Sequence, residues 1–173
     1  MKSDNICYLF NFKFGEPSSI VDKRIGNMSI VVLAEKPSVA EDIAKMLKIT
    51  KKEATHWNGE DIIVTWAVGH MLELKYIDDY DPTFKNWRKT AGDLPFIPKE
   101  FEFKPKGGST RKQLTAVKKL MSDKEVTEIV NACDAAREGE LIFQTIYHYS
   151  KSKSPVSRMW LQSMTKEAIQ RAW

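Results

Sequence analysis

The chain has 173 residues and a net charge of +4, with 42% hydrophobic and 29% charged residues. This length and composition are typical of one globular domain with a real core, and the mild positive charge permits a nucleic-acid partner without indicating one. No apolar run approaches the roughly 20 residues of a membrane span, and the chain has no Cys-x-x-Cys pair. We therefore expect neither a membrane-spanning helix nor a structural zinc site.

Residues 1–27 show no clear hydrophobic period and contain scattered Gly, Pro and Ser, so we expect an arm or extension there. Their apolar patch, residues 6–10, is short and lacks a clear cleavage site, so it does not indicate a signal peptide. The organised sequence begins at Met28.

The first predicted element is a strand at residues 30–34, whose consecutive apolar and mostly β-branched side chains indicate burial on both faces. A turn at residues 35–38 leads into a helix. Ser38 followed by Glu41 predicts a capping box at its start. Apolar residues at helical spacing continue this helix: Val39, Ile43, Met46 and Leu47.

Residues 56–68 are predicted to form a β-hairpin, because Asn58-Gly59 favours a tight turn between two apolar runs. Residues 69–108 are loop-rich, with prolines at 82, 95, 98 and 105 and aromatic residues at 80, 84, 87, 96, 101 and 103. A segment of this length in a small domain is usually functional or forms a cover. Its aromatic side chains are expected to pack the segment onto the domain, with base stacking as the alternative.

Three helices and two strands complete the prediction. A helix opens at residues 106–110 with Leu114, Val117, Leu120 and Met121 on one face, and a core strand covers residues 126–133. A helix follows at residues 137–149, with its apolar stripe at Leu141, Ile142, Thr145, Ile146 and Tyr149. A last strand covers residues 156–161, and Thr165 caps a helix that continues to Trp173.

Strands that alternate with helices predict an α/β domain with a mainly parallel sheet flanked by helices, plus a β-hairpin and a long loop-rich insertion. Ligands of such sheets bind beyond the carboxyl ends of the strands. Glu35 follows the first strand, Asp134 follows the strand at residues 126–133, and Glu138 lies near the start of the next helix. We therefore expect three carboxylates to converge from two neighbouring loops.

Magnesium prefers hard oxygen ligands and is commonly held by one or two carboxylates together with substrate phosphate. Arg137 offers a fork-shaped donor for a phosphate oxygen, and Gly139 permits close approach of another backbone. The alternative is that acidic residues simply favour helix N-termini through the helix dipole, which for Glu140 is an equally good explanation. The sequence thus predicts an acidic magnesium site for phosphate chemistry on nucleic acid.

Four motifs in order resemble one family. Leu33-Ala34-Glu35-Lys36-Pro37-Ser38 and residues 131–143, with their Arg-Glu-Gly-Glu core, resemble the two signature motifs of the Toprim domain. The second motif is most similar to type IA DNA topoisomerases of the bacterial topoisomerase III kind. Residues 68–74 and residues 158–165 also resemble that family. The likeness covers roughly Met28 to Trp173.

The resemblance implies residue roles. Glu35 and Arg137 would be catalytic, with Glu35 assisting proton transfer at the DNA 3′-oxygen, and Mg²⁺ would be the cofactor. Its implied ligands are Asp134 and Glu138, with Glu35 at the same site. Lys36 and Arg137 would contact phosphates of a single-stranded DNA segment. The resemblance implies no membrane partner and no small-molecule cofactor.

Two departures from the family pattern bear on this transfer. The wider Toprim pattern has a second aspartate where this chain has Ala136, so we expect the metal to be held more weakly, or by Asp134, Glu138 and water. These enzymes also cleave one strand through a tyrosine of a later domain, forming a 5′-phosphotyrosine link. None of the tyrosines has the expected context for that role: Tyr8, Tyr76, Tyr80, Tyr147 and Tyr149.

The expected organisation is an arm at residues 1–27, a Toprim domain at residues 28–162 and, at residues 163–173, the truncated start of the next topoisomerase domain. The chain would then be an N-terminal fragment whose partners include the remaining domains with the tyrosine. The two cysteines, Cys7 and Cys133, imply no disulfide framework and fit a cytoplasmic location. Cys133 is predicted to be a buried thiol.

Two secondary candidates carry structural alternatives. Residues 106–110 precede a helix and could bind phosphate through backbone N–H groups, with Arg111 and Lys112 touching DNA, but a plain turn with an N-cap is the favoured explanation. His70 resembles the family's Gly-His motif and is a candidate DNA contact, whereas a lone histidine after a strand is commonly structural.

Three functions follow from these patterns. The first is the Toprim part of a type IA topoisomerase, unable to cleave DNA alone. The second is a free-standing Toprim nuclease or primase-like enzyme that needs no tyrosine. The third is a non-catalytic DNA-binding module. Magnesium-dependent nuclease activity of the isolated chain would favour the second function, and metal-independent DNA binding would favour the third.

Overall fold

The computed structural model describes residues 29–86, 91–161, 163 and 165–173. The predicted arm at residues 1–27, Met28, Cys7 and Tyr8 lie outside this part of the chain, as do Gln162 and Met164 of the last family motif. Two layers of helices enclose a central sheet, which confirms the predicted α/β class.

The central sheet has five strands: β1 Ser29–Ala34, β2 His56–Asn58, β3 Ile62–Trp66, β6 Val126–Ala132 and β7 Val156–Arg158. They lie side by side in the order β2-β3-β1-β6-β7. Strand β1 pairs in parallel with β3 on one side and with β6 on the other, and β6 pairs in parallel with β7. The edge strand β2 is antiparallel to β3, which confirms the predicted hairpin. A separate antiparallel pair consists of β4 Leu72–Leu74 and β5 Phe103–Pro105.

The helices are α1 Pro37–Met46, α2 Ile77–Tyr80, α3 Thr110–Met121, α4 Arg137–Ser150 and α5 Lys166–Ala172. Helices α1 and α5 pack on one face of the sheet, and α3 and α4 pack on the other. Across the described ranges, the helices are all too short or too polar to span a bilayer.

Strand β1 is buried on both faces, as its sequence predicts. Val31 and Leu33 point to the α3/α4 face, whereas Val32 and Ala34 point to the α1/α5 face, and all four are fully buried. Alternating side chains of one strand therefore enter two separate cores, which is the reason for its continuous apolar run.

Helix α1 begins differently from the prediction. Lys36 is the N-cap residue with extended backbone and Pro37 occupies the first turn, so Ser38 lies inside the helix and makes no capping hydrogen bond. The predicted capping box is therefore wrong. Proline favours the first turn because it lacks the N–H that would have no partner there and because its φ already suits a helix.

The apolar face of α4 is also shifted relative to the predicted stripe. Leu141 is 46% exposed, whereas Phe143 is fully buried beside Ile142 and Ile146. Phe143 stacks on Tyr147 with ring centroids 5.9 Å apart. The last strand is shorter than predicted, since β7 ends at Arg158.

Residues between β3 and α3 form the loop-rich insertion that the sequence predicts. The insertion starts and ends close together, because the Lys106 N–H donates to the Met71 carbonyl over 3.0 Å. Phe84 is buried inside it and contacts the ring of Phe96, which in turn contacts Tyr80. These three aromatic residues pack against one another within the insertion, whereas Phe101 and Phe103 are exposed, so the expected packing of the aromatic residues onto the domain is not seen in the described part of the chain. Trp87 lies outside the described residues.

A buried glutamine connects α3 to the hairpin. Gln113 is 7% exposed, and its Nε2 donates to the carbonyl oxygens of Thr55 (3.0 Å) and Trp66 (2.9 Å) and to the Thr65 hydroxyl (3.3 Å). Buried carbonyl groups without a donor are costly, so this side chain fixes the hairpin against the helix.

We expect Gln113→Leu to lower the free energy of unfolding by about 1–3 kcal/mol, because the buried Trp66 carbonyl loses this donor and the partly buried Thr55 carbonyl keeps only the Thr65 hydroxyl, while the side-chain volume is kept. Equilibrium urea unfolding measures this loss. The matched control is Lys112→Leu at the neighbouring exposed position of α3. Equal midpoints for the two variants would show that Gln113 contributes nothing specific.

Candidate active site

The site lies at the carboxyl edge of β1 and β6. These neighbouring parallel strands run in register up to the pair Ala34 and Ala132, so the residues that follow them emerge side by side. One carboxylate oxygen of Glu35, Oε2, accepts a hydrogen bond from the Asp134 N–H over 3.0 Å. The structure therefore brings these two predicted site residues together.

Asp134 occupies a tight turn before α4. Its carbonyl oxygen accepts from the Ala136 N–H over 2.8 Å, and Ala136 is the N-cap residue of the helix. The side-chain oxygen Oδ1 of Asp134 is buried and has no hydrogen-bond partner among the described residues. A buried carboxylate oxygen is costly without a donor or a cation, so this atom is suited to a cation.

Gly139 allows the turn and the helix to meet, as the sequence predicts. It is buried in the first turn of α4, and a Cβ built on it would lie 2.4 Å from the Asp134 carbonyl oxygen. The same Cβ would lie 2.9 Å from Glu35 Oε2. No other residue type fits there without displacing backbone, so the spacing of Asp134 and Gly139 is a steric requirement of the site.

Glu138 extends from the first turn of α4 into solvent, with its side chain 75% exposed. Its Oε1 lies 3.5 Å from Nε2 of His70, which follows β3 through a turn at Gly69 with φ of +59°. His70 therefore borders the site through Glu138, and the edge of the sheet carries groups from three strand ends.

The three predicted carboxylates are not assembled into one cluster. In the part of the chain that the structure describes, no three His, Cys, Asp or Glu side chains are arranged to hold a metal ion. The donor set nevertheless fits Mg²⁺, because that ion is usually held by one or two carboxylates, water and substrate oxygens rather than by an all-protein cage. Asp134, with its buried oxygen that lacks a partner, is the central donor of this set.

The cationic candidates differ in position. Lys36 and Arg137 are exposed beside the site, at the N-cap of α1 and the first residue of α4, and no contact ties either side chain within the described ranges. Arg111 is exposed in the first turn of α3. The turn before it has Gly108 at φ of +84°, and Ser109 makes no side-chain capping bond, so the predicted N-cap is not formed by a side chain.

Cys133 lies directly beneath the site and is fully buried, as predicted. Burial, reinforced by the negative charge of Glu35, raises the pKa of the thiol far above its usual range. The thiol therefore stays protonated at neutral pH, and its sulfur lies 3.7 Å from the Leu33 carbonyl oxygen. A protonated thiol is not a metal ligand, so Cys133 fills space here.

Sequence reasoning missed the role of Arg158. Its guanidinium donates to the carbonyl oxygens of Asp134 (2.8 Å) and Cys133 (3.3 Å) and forms an ion pair with Glu140. Glu140 also accepts from Asn131 (3.0 Å) and Gln144 (2.8 Å). Glu140 is thus held inside a network, and the one available sequence signal was the presence of Arg158 in the fourth motif.

The described tyrosines are away from this site or engaged elsewhere. The Tyr80 hydroxyl accepts from the Glu102 N–H over 2.7 Å, and the Tyr147 hydroxyl donates to the Ser154 carbonyl over 3.0 Å. Tyr76 is 60% exposed on the insertion, and its ring contacts the Lys104 ammonium group. The Tyr149 ring contacts the Lys118 ammonium group, 4.7 Å from the ring centroid. These contacts give the four described tyrosines structural explanations.

We expect Gly139→Ala to destabilise the fold, although the same change stabilises an ordinary helix interior by up to about 1 kcal/mol. The added methyl group must displace the Asp134 turn, and thermal unfolding measures the result. Gly107→Ala is the matched control, because a Cβ there meets open space. A Gly139→Ala variant with an unchanged or raised melting temperature would contradict the steric assignment.

Comparison with known proteins agrees with this geometry. The family model of the Toprim domain matches residues 30–164. The chain is 43% identical over 143 residues to DNA topoisomerase 3 of Staphylococcus haemolyticus (strain JCSC1435), and these residues are 83% of this chain and 20% of the relative. It is 42% identical over 146 residues to DNA topoisomerase 3 of Staphylococcus aureus (strain USA300), with 84% and 20% covered.

The chain therefore spans about a fifth of the length of these relatives. The family match extends two residues beyond the predicted domain end at residue 162, and that boundary stays a prediction. Both comparisons confirm the resemblance that the four motifs indicate. The chain belongs to the Toprim domain family, with similarity to bacterial DNA topoisomerase 3.

Proposed function

We propose that this chain is the magnesium-binding part of a type IA DNA topoisomerase and acts in cleavage and rejoining of single-stranded DNA. The observation that carries the proposal is the buried Asp134 Oδ1, which lacks a partner among the described residues and lies beside Glu35 at the carboxyl edge of two parallel strands. Family membership and the topoisomerase 3 relatives support the same reaction class.

Asp134, in the turn before α4, and Glu138, in the first turn of α4, would hold the metal, with Glu35 at the same site. When bound, Mg²⁺ would offset the negative charge of a DNA phosphate. Ala136 stands where the wider family has a second aspartate, so fewer protein oxygens are available and water would complete the coordination. The side chain of Glu138 is largely exposed, and it would leave its contact with His70 to turn towards Asp134.

Glu35 would serve proton transfer at the DNA 3′-oxygen. Its Oε2 is anchored by the Asp134 N–H, and an anchored carboxylate has a defined direction in which to give or take a proton. Arg137, the second catalytic candidate, begins α4 at the same edge and offers a planar pair of donors to a phosphate oxygen as charge develops there.

DNA would lie across the carboxyl edge of the sheet. Lys36 and Arg137 flank the carboxylates there and carry no other ionic contact among the described residues, which leaves both for phosphate groups. His70 reaches the same edge through its contact with Glu138. Arg111 would extend the contact to the first turn of α3. Phosphate contacts of this kind fix the strand without reading its sequence.

The attacking tyrosine would come from a further domain, because the described tyrosines have structural roles and the matched part of this chain covers only 20% of the relatives. A DNA substrate would place the protein in the cytoplasm. The topoisomerase relatives favour this function over a free-standing nuclease, a primase-like enzyme or a non-catalytic binding module.

We expect Asp134→Asn and Glu138→Gln each to weaken Mn²⁺ binding to the 173-residue chain by about tenfold or more, since loss of an outer-shell partner alone costs 10–100-fold. Calorimetry or electron paramagnetic resonance with Mn²⁺ gives the affinity. Glu167→Gln is the control, because Glu167 occupies the first turn of α5 as Glu138 does in α4. Wild-type affinity in the Asp134→Asn, Glu138→Gln double variant would refute the metal site.

We expect Arg137→Ala and Arg111→Ala each to reduce the slope of log affinity against log salt for a single-stranded oligonucleotide by about 0.7, because each removes one phosphate contact. Fluorescence anisotropy over a salt series measures the slope. Arg171→Ala on α5, which packs on the opposite face of the sheet from α3, is the control. Slopes equal to wild type would place the DNA elsewhere on the chain.

A further inference from the structure

A half-buried arginine holds the backbone on which the proposed metal ligand stands. Arg158 lies at the end of β7, two strands away from β1, and its side chain is 21% exposed. One guanidinium nitrogen, Nη2, donates to the carbonyl oxygens of both Cys133 and Asp134. The other, Nη1, is paired with Glu140. The planar fork thus connects the strand end, the Asp134 turn and helix α4.

The partner of this arginine is itself held from three directions. Glu140 accepts hydrogen bonds from Asn131 on β6 and from Gln144 one helical turn later, in addition to the ion pair with Arg158. Asn131 also accepts from the Cys133 N–H over 3.1 Å. The carboxylate oxygens of Glu140 therefore accept from donors of the protein, and Glu140 belongs to this network rather than to a metal site.

Hydrogen bonds to the two peptide groups of Asp134 hold its turn in place. The Asp134 carbonyl oxygen accepts from the Ala136 N–H and from Arg158, and the Asp134 N–H donates to Glu35. The direction of the Asp134 side chain follows from the orientation of these two peptide groups. Removing the guanidinium would leave the Ala136 N–H as the donor to the Asp134 carbonyl oxygen, and the buried Oδ1 would be held less firmly in its direction.

We propose that Arg158 and Glu140 form a positioning pair that orients Asp134 for metal binding. The inference rests on the proposed function, because it assumes that Asp134 is a metal ligand. Arg158 touches neither metal nor DNA in this role; it acts through the carbonyl oxygens of residues 133 and 134. Lysine cannot replace it, since a single ammonium group cannot span two carbonyl oxygens and a carboxylate in one plane.

The test compares Arg158→Lys and Glu140→Gln with wild type in the 173-residue chain. Metal-free hydrogen exchange is expected to speed up at the Asp134 and Ala136 amides in both variants, while the amides of β1 keep wild-type rates. Mn²⁺ affinity is expected to fall by about tenfold, the typical effect of losing an outer-shell partner. Arg171→Lys, at an exposed position of α5, is the matched control and should change neither quantity.

The outcomes separate this inference from the proposed function. If Asp134→Asn loses Mn²⁺ binding but Arg158→Lys and Glu140→Gln bind as wild type does, the positioning role is wrong and the metal site stands. Faster exchange throughout β1 and β6 in both variants would make the pair a general stabiliser and also overturn the role. If the wild-type chain does not bind Mn²⁺, the proposed function fails and the inference with it.

Discussion

The parallel pairing of β1 with β6 is the constraint on which the site depends. Because the two strands end at the same level, Glu35 and Asp134 leave the sheet side by side, and Glu35 accepts the Asp134 N–H. The turn after β6 must then pass under the start of α4, which is possible because Gly139 has no side chain. The register of β1 against β6 and the absence of a side chain at Gly139 together bring Glu35 and Asp134 into contact.

Much of this arrangement could be predicted from the sequence. A run of β-branched residues buried on both faces indicates a parallel strand, and the functional edge of a parallel sheet is its carboxyl edge. The sequence therefore predicts that Glu35 and Asp134 are neighbours, and the hydrogen bond between them confirms it. Gly139 was expected to allow a close backbone approach, and the contacts at that position confirm it.

The contacts that escaped prediction depend on side-chain geometry across elements. Nothing in sequence spacing shows that Arg158 reaches past its own strand to the carbonyl oxygens of β6, because its nearest partner, Glu140, is 18 residues away. Ser38 was mistaken for a cap because the capping pattern does not account for Pro37 at the first turn. Leu141 was assigned to the core because the period of a helix gives its faces only to within one residue.

The insertion between β3 and α3 enters and leaves the domain at one place, where Lys106 meets Met71. Its internal core of aromatic residues is its own, and the paired strands β4 and β5 do not join the central sheet. The entropy cost of holding the two ends of a loop together rises only with the logarithm of loop length, so a longer insertion lowers the stability of the fold only slightly. The segment can therefore gain or lose residues over evolution while the register of β1 and β6, and with it the spacing of the two carboxylates, stays the same.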